Sequence, residues 1–135
     1  EPVMQLKSRV VYFKVVKAGA TVSYGASWQA GRQTRLVTVP IGYGDGWPRA
    51  LSSKGEVLIG GNRYAIAGRV CMDQFMVDIG EGSAFNEEEV VLIGAQAGET
   101  IRVEDVAARA GTIPYELLVQ LNERIPRHYA DDGVR

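Results

Sequence analysis

Four short segments hold most of the side chains that could do chemistry: Val22-Ser23-Tyr24-Gly25, Ile41-Gly42-Tyr43-Gly44-Asp45-Gly46-Trp47-Pro48-Arg49, Gly68-Arg69-Val70-Cys71-Met72-Asp73-Gln74 and Thr112-Ile113-Pro114-Tyr115-Glu116. A tyrosine phenol ionises near ~10, so Tyr24 serves as a base only where a cation or a hydrogen-bond donor lowers that value. Gly25 beside it permits a close backbone approach. Taken alone, the segment reads first as a half-buried strand tyrosine. The second segment crowds three glycines around Tyr43 and Asp45. It reads either as a turn that Asp45 caps and a glycine bends, or as a loop holding Tyr43 and Arg49 against a ligand. It carries neither a phosphate-loop lysine nor a dinucleotide glycine pattern. In the third, Arg69 suits bidentate capture of a carboxylate. Cys71 lacks a paired base, since the single histidine, His128, lies beyond Pro126. Cysteine–histidine catalysis and metal ligation are therefore set aside, and Cys71 reads as a small buried hydrophobe. In the fourth, Tyr115 falls in the first turn of an expected helix. That end offers free N–H groups and partial positive charge to an anion, unless the phenol simply reaches into water.

These residues need elements to position them. Arg9–Val16, Thr34–Pro40, Gly55–Ile59, Arg63–Ala67, Gln74–Ile79 and Glu89–Ile93 read as strands. Gln74–Ile79 alternates, with Phe75, Val77 and Ile79 on one face, and Glu89–Ile93 reads as buried on both sides. Gly60-Gly61-Asn62 suits a hairpin turn between two of the strands. Short strands and glycine-rich turns point to a closed or folded antiparallel structure, a barrel or sandwich. Two helices follow. Val103–Ala110 has Glu104 and Asp105 in its first turn and Gly111 after its end. The second is expected to take Thr112 as N-cap, to bury a stripe of Ile113, Leu117, Leu118 and Leu121, and to stop at Pro126.

Composition sets limits. A length of 135 residues gives one domain and is too short for a complete (β/α)₈ barrel of roughly 250 residues. Hydrophobic residues at 46% supply a core, and a net charge of -1 argues against a general nucleic-acid binder. No apolar run approaches the ~18 residues of a membrane span. One cysteine cannot form an internal disulfide, which permits a reducing compartment. Glu1-Pro2-Val3 resembles neither an initiator methionine nor a signal peptide, so the chain reads as part of something longer or processed.

The order and spacing of V-S-Y-G, G-Y-G-D-G-W-P-R, G-R-V-C-M-D-Q and T-I-P-Y-E resemble the C-terminal domain of alanine racemase, a pyridoxal-phosphate enzyme of D-alanine metabolism. The likeness runs from about Leu6 to Tyr129. It implies a mainly β domain over residues 1–129, a flexible tail over 130–135, and an N-terminal (β/α)₈ barrel that this chain does not contain. It also implies a cytoplasmic homodimer whose active sites join the barrel of one subunit to the C-terminal domain of the other. Tyr24 then matches a catalytic tyrosine opposed to a cofactor lysine of the barrel, which excludes Lys7, Lys14, Lys17 and Lys54 from that role. Met72 matches a backbone contact to the substrate carboxylate region, with Asp73 beside it. By the same resemblance Tyr43 matches a tyrosine that narrows the way to the cofactor, Arg49, Arg69 and Ile113 match residues lining the access corridor, and Tyr115 matches a phenol that bonds the cofactor phosphate. A related serine or broad-specificity racemase is the nearest alternative. A stand-alone binding module stacking bases or sugars on exposed Tyr24, Tyr43, Trp47 and Tyr64 is the distant one.

Overall fold

The structure, a computed structural model, describes residues 5–22, 28–121 and 125–126. Tyr24, His128 and the 130–135 tail lie outside them.

Alternating hydrophobicity builds the central strands. In β8 (Phe75–Gly80) Phe75, Val77 and Ile79 are buried while Met76 and Asp78 are half-buried, as the alternation requires. β5 (Thr34–Val39) lies beside it with Val37 opposite Val77, and β2 (Tyr12–Val16) pairs with its other edge. On the far side of β8, β7 (Asn62–Ala67) returns from β6 (Glu56–Ile59) through the two-residue turn Gly60-Gly61, both residues at positive φ. β9 (Glu89–Gln96) has five consecutive buried residues and pairs with β6, β1 (Leu6–Arg9) and β10 (Glu99–Ile101). The result is an antiparallel sheet in the order β1-β9-β6-β7-β8-β5-β2, with β10 added beside β9. A separate two-stranded ribbon pairs β3 (Thr21–Val22) with β4 (Trp28–Gln29).

The mainly β expectation holds, but the sheet is not closed into a barrel. Among the described residues no ladder joins β1 to β2. Instead the chain itself passes from one end of the sheet to the other. The expected single strand Arg9–Val16 breaks at Val10 and Val11, whose N–H groups donate to Glu88 O at 2.9 Å and Thr38 O at 3.0 Å. Each half therefore serves a different neighbour. Val10 is buried at this pivot, and Tyr12, Phe13 and Val15 are exposed along β2. The core between these layers includes Trp47, Phe75, Val57 and Leu92.

α1 (Val103–Ala110) forms as expected, with Val106 and Ala107 buried and Gly111 left-handed beyond its end. α2 (Pro114–Gln120) departs from expectation at both ends. Its N-cap is Ile113, which is extended at φ -110° and ψ 157° because the following Pro114 disfavours a helical conformation there. The Thr112 hydroxyl bonds the Glu116 carboxylate instead. The helix stops at Gln120, well before Pro126. Of the expected apolar stripe, Leu117 and Leu121 are buried, whereas Ile113 and Leu118 are exposed. Among the described residues no helix is long and apolar enough to cross a membrane.

Candidate active-site wall

The turn Gly42–Gly46 and the bend at Cys71–Met72 meet as one unit. The Tyr43 N–H donates to Cys71 O at 2.9 Å, and the Gly44 N–H to Met72 O at 2.7 Å. A methyl group on Gly42 would lie 2.2 Å from Cys71 O, so only glycine permits this approach. The buried Asp45 carboxylate accepts the Gly42 N–H at 3.0 Å, while the Asp45 N–H donates to Gly42 O at 2.9 Å. The reading of this glycine-rich segment as a turn capped by Asp45 holds, and the turn leaves Tyr43 exposed. Gly46 closes it at φ 98°, a left-handed conformation that glycine favours. There a methyl group would lie 2.0 Å from Gln120 O, so the C-terminal end of α2 seats directly on the turn.

A second set of bonds joins the arginine-bearing segments. Arg49–Leu51 is a single 3₁₀ turn closed by Ser52, whose N–H donates to Arg49 O at 3.0 Å. The Ser52 hydroxyl also donates to Arg49 O, at 2.7 Å, and accepts the Val70 N–H at 2.8 Å. Next to it, the Ser53 N–H donates to Gly68 O at 2.8 Å and the Ser53 hydroxyl accepts the Gly68 N–H at 3.0 Å. Sequence reading missed Ser52. The available signal was a serine three residues after the turn's first residue, where a side chain commonly returns to the backbone.

Together these contacts shape an open cavity of about 700 Å³ lined by Tyr43, Arg49, Ala50, Ser52, Arg69, Val70, Cys71 and Met72. The Arg49 guanidinium lies over the Tyr43 ring. Tyr43 is 43% exposed and Met72 54%. The Met72 carbonyl is taken by Gly44, and its N–H makes no hydrogen bond among the described residues. Cys71 is half-buried in the cavity wall rather than sunk in the core, with its thiol 3.8 Å from Arg69 O. Asp73 follows Met72 in the same exposed bend but does not line the cavity.

Four of the expected residues, Tyr43, Arg49, Arg69 and Met72, therefore share one wall. Ile113 and Tyr115 do not line it. They stand exposed, Tyr115 at 76%, at the end of α2 opposite the one seated on Gly46. Trp47, proposed as an exposed stacking residue, is wholly buried, and Tyr64 is only half-exposed, with its hydroxyl against Gly82. The stacking surface of the distant alternative does not exist in that form.

Fold and site thus define a mainly β domain in which Tyr43, Arg49, Arg69 and Met72 line one open cavity. The family described as alanine racemase, C-terminal domain, matches residues 3–129. The alanine racemase of Carboxydothermus hydrogenoformans is 48% identical over 130 residues, covering 96% of this chain and 35% of that protein. The crystal structure of alanine racemase from Bacillus anthracis with bound L-Ala-P superposes with a TM-score of 0.93 at 38% identity, covering 98% of this chain and 34% of the other. The enzyme from Bartonella henselae with covalently bound pyridoxal phosphate superposes with a TM-score of 0.87 at 34% identity, covering 93% of this chain and 34% of the other. The chain belongs to the alanine racemase C-terminal domain family, and it spans about a third of the length of the curated relatives it matches.

Proposed function

We propose that this domain serves an alanine racemase, which interconverts L- and D-alanine by a two-base reaction and so supplies, or consumes, D-alanine. The observation that carries the reading is the shared wall of Tyr43, Arg49, Arg69 and Met72 in a chain of this family. The donor set suits pyridoxal phosphate and an amino-acid carboxylate, both anionic. When bound, the cofactor supplies an electron sink for the charge left at Cα.

The residues of this chain bind, orient and move a proton. Arg49 and Arg69 attract the carboxylate and line the corridor, to which Ile113, standing exposed away from their wall, is also assigned. Tyr43 narrows it. With its carbonyl held by Gly44, Met72 offers its N–H to the carboxylate. Asp73 flanks that contact. Tyr115 donates its hydroxyl to the cofactor phosphate. Tyr24, which falls between β3 and β4 in the sequence, takes or returns the Cα proton on one face. It must be partly ionised to do so, which calls for a cation or donor beside it. The opposite base is assigned to a lysine of the barrel domain, not to Lys7, Lys14, Lys17 or Lys54. A barrel from one subunit meeting this domain from another, in a cytoplasmic homodimer, is the arrangement that makes a site; the exposed Ile113, Tyr115 and Val119 of the α2 region suit such a contact.

The test uses the full-length racemase carrying this domain. Tyr24→Phe is expected to abolish solvent hydrogen exchange at Cα from one enantiomer while leaving cofactor binding intact. Loss of cofactor binding with no such asymmetry would overturn the role. The isolated domain with added cofactor is expected to show no turnover.

A further inference from the structure

Ser52 lies outside every role assigned above, yet its hydroxyl is bonded to both arginine-bearing segments. It donates to the carbonyl of Arg49 itself at 2.7 Å and accepts the N–H of Val70, the residue after Arg69, at 2.8 Å. The two segments stand 18 residues apart in the chain. A single 3₁₀ turn such as Arg49–Leu51 is weakly held by its own bonds. The hydroxyl adds a second bond to the turn's closing carbonyl and anchors it to the neighbouring loop. Val70 is buried and its bond to Ser52 is partly shielded from solvent, so loss of the hydroxyl leaves that N–H poorly satisfied. The neighbouring Ser53–Gly68 pair joins the same two segments on the other side of Arg69, through Gly68, but makes no bond to Arg49.

We propose that Ser52 is a positioning residue that fixes the separation of Arg49 and Arg69, and thereby how the corridor holds the substrate carboxylate. The inference rests on the reading of the cavity as the racemase corridor. Ser52 acts through the two arginines and touches no reacting atom. Its loss therefore weakens substrate capture more than it slows proton transfer.

The experiment uses the full-length racemase with alanine as substrate. Ser52→Ala is expected to raise KM about fivefold, the loss of roughly one buried hydrogen bond, with kcat within about twofold. Ser52→Thr keeps the hydroxyl and is expected to restore KM to within about twofold of the unsubstituted enzyme. An unchanged KM in Ser52→Ala overturns the inference. So does a parallel fall of kcat and thermal midpoint in both variants, which is the signature of a merely structural residue. Arg69→Ala separates the inference from the reading beneath it. If Arg69→Ala raises KM and Ser52→Ala does not, the positioning role falls and the corridor stands. If neither does, the corridor reading falls too. Amide exchange in the unsubstituted enzyme gives a measurement free of folding defects. The Val70 N–H is expected to exchange at least about tenfold more slowly than the Met72 N–H, and equal rates overturn the proposal.

Discussion

The guanidinium carbon of Arg49 sits 5.2 Å from the centroid of the Tyr43 ring. A cation over an aromatic face at an exposed site contributes about 0.5–1 kcal/mol, enough to bias an exposed phenol toward one rotamer. Arg49→Ala in the full-length enzyme is expected to free the ring and remove one corridor charge, raising KM for alanine about three- to tenfold with a smaller change in kcat. Tyr43→Phe keeps the ring and should leave the stacking intact. Steady-state kinetics on both variants decide the matter, and equal KM values for Arg49→Ala and the unsubstituted enzyme would remove Arg49 from the corridor.

Tyr115 is so exposed in this domain that its hydroxyl contributes little to folding. Tyr115→Phe should therefore leave the thermal midpoint of the cofactor-free protein unchanged. A hydrogen bond to a charged acceptor is worth about 1.5–3 kcal/mol, so cofactor affinity should fall about tenfold or more. Spectroscopic titration with pyridoxal phosphate measures this, and an unaltered dissociation constant would contradict the phosphate contact.

Gly46 is boxed in twice, by its left-handed backbone and by the Gln120 carbonyl. Gly46→Ala forces the turn or the end of α2 to move. The expected cost is at least about 2 kcal/mol, read as a lowered unfolding midpoint. A fully stable Gly46→Ala variant would mean that α2 can shift without consequence.

The fold lowers the proton affinity of the Glu89 carboxylate. The hydrogen bond from Gln96 and, after it, the one from Lys7 hold its carboxyl below the usual range, against a small opposing effect of burial. Because the folded value lies below the unfolded one, the ionised form favours the folded state. That stabilisation is present above the unfolded carboxylate range and is lost as pH falls through the folded value. Lys7 and Glu89 are each nearly half exposed, so screening by water keeps the pair within about 1 kcal/mol. Relative to Glu89→Gln, the unsubstituted protein should be slightly more stable near neutral pH, and the difference should vanish in acid. Denaturant titrations at several pH values check it, and a difference that grows on acidification would reverse the sign.

Much of this architecture was legible where local rules and tertiary packing agree. The alternation in Phe75–Gly80, the glycine turn between β6 and β7, and the acidic start and glycine stop of α1 all read directly from residue types. Tyr43, Arg49, Arg69 and Met72 were found through their motifs, and they do converge on one cavity. The features that escaped notice depend on distant partners. The break at Val10 is set by Glu88 and Thr38, far away in the chain. The ribbon of β3 and β4 has two residues per strand, too few to show a period. Thr112 has the right chemistry for an N-cap, but Pro114 keeps Ile113 extended and the Thr112 hydroxyl bonds Glu116. Ser52 acts through two backbone groups, and nothing in its own neighbourhood names the second.

The break at Val10 also orders events in time. β1 is among the first described segments to be synthesised, yet Leu6 pairs with Ile93. At ordinary elongation rates its partner emerges on the order of 5–15 s later. During that interval β2 has β5 within reach, while β1 remains a bare strand edge beside growing apolar sequence. Nascent chains crowded on one message are therefore most exposed to mispairing with one another just before β9 is complete.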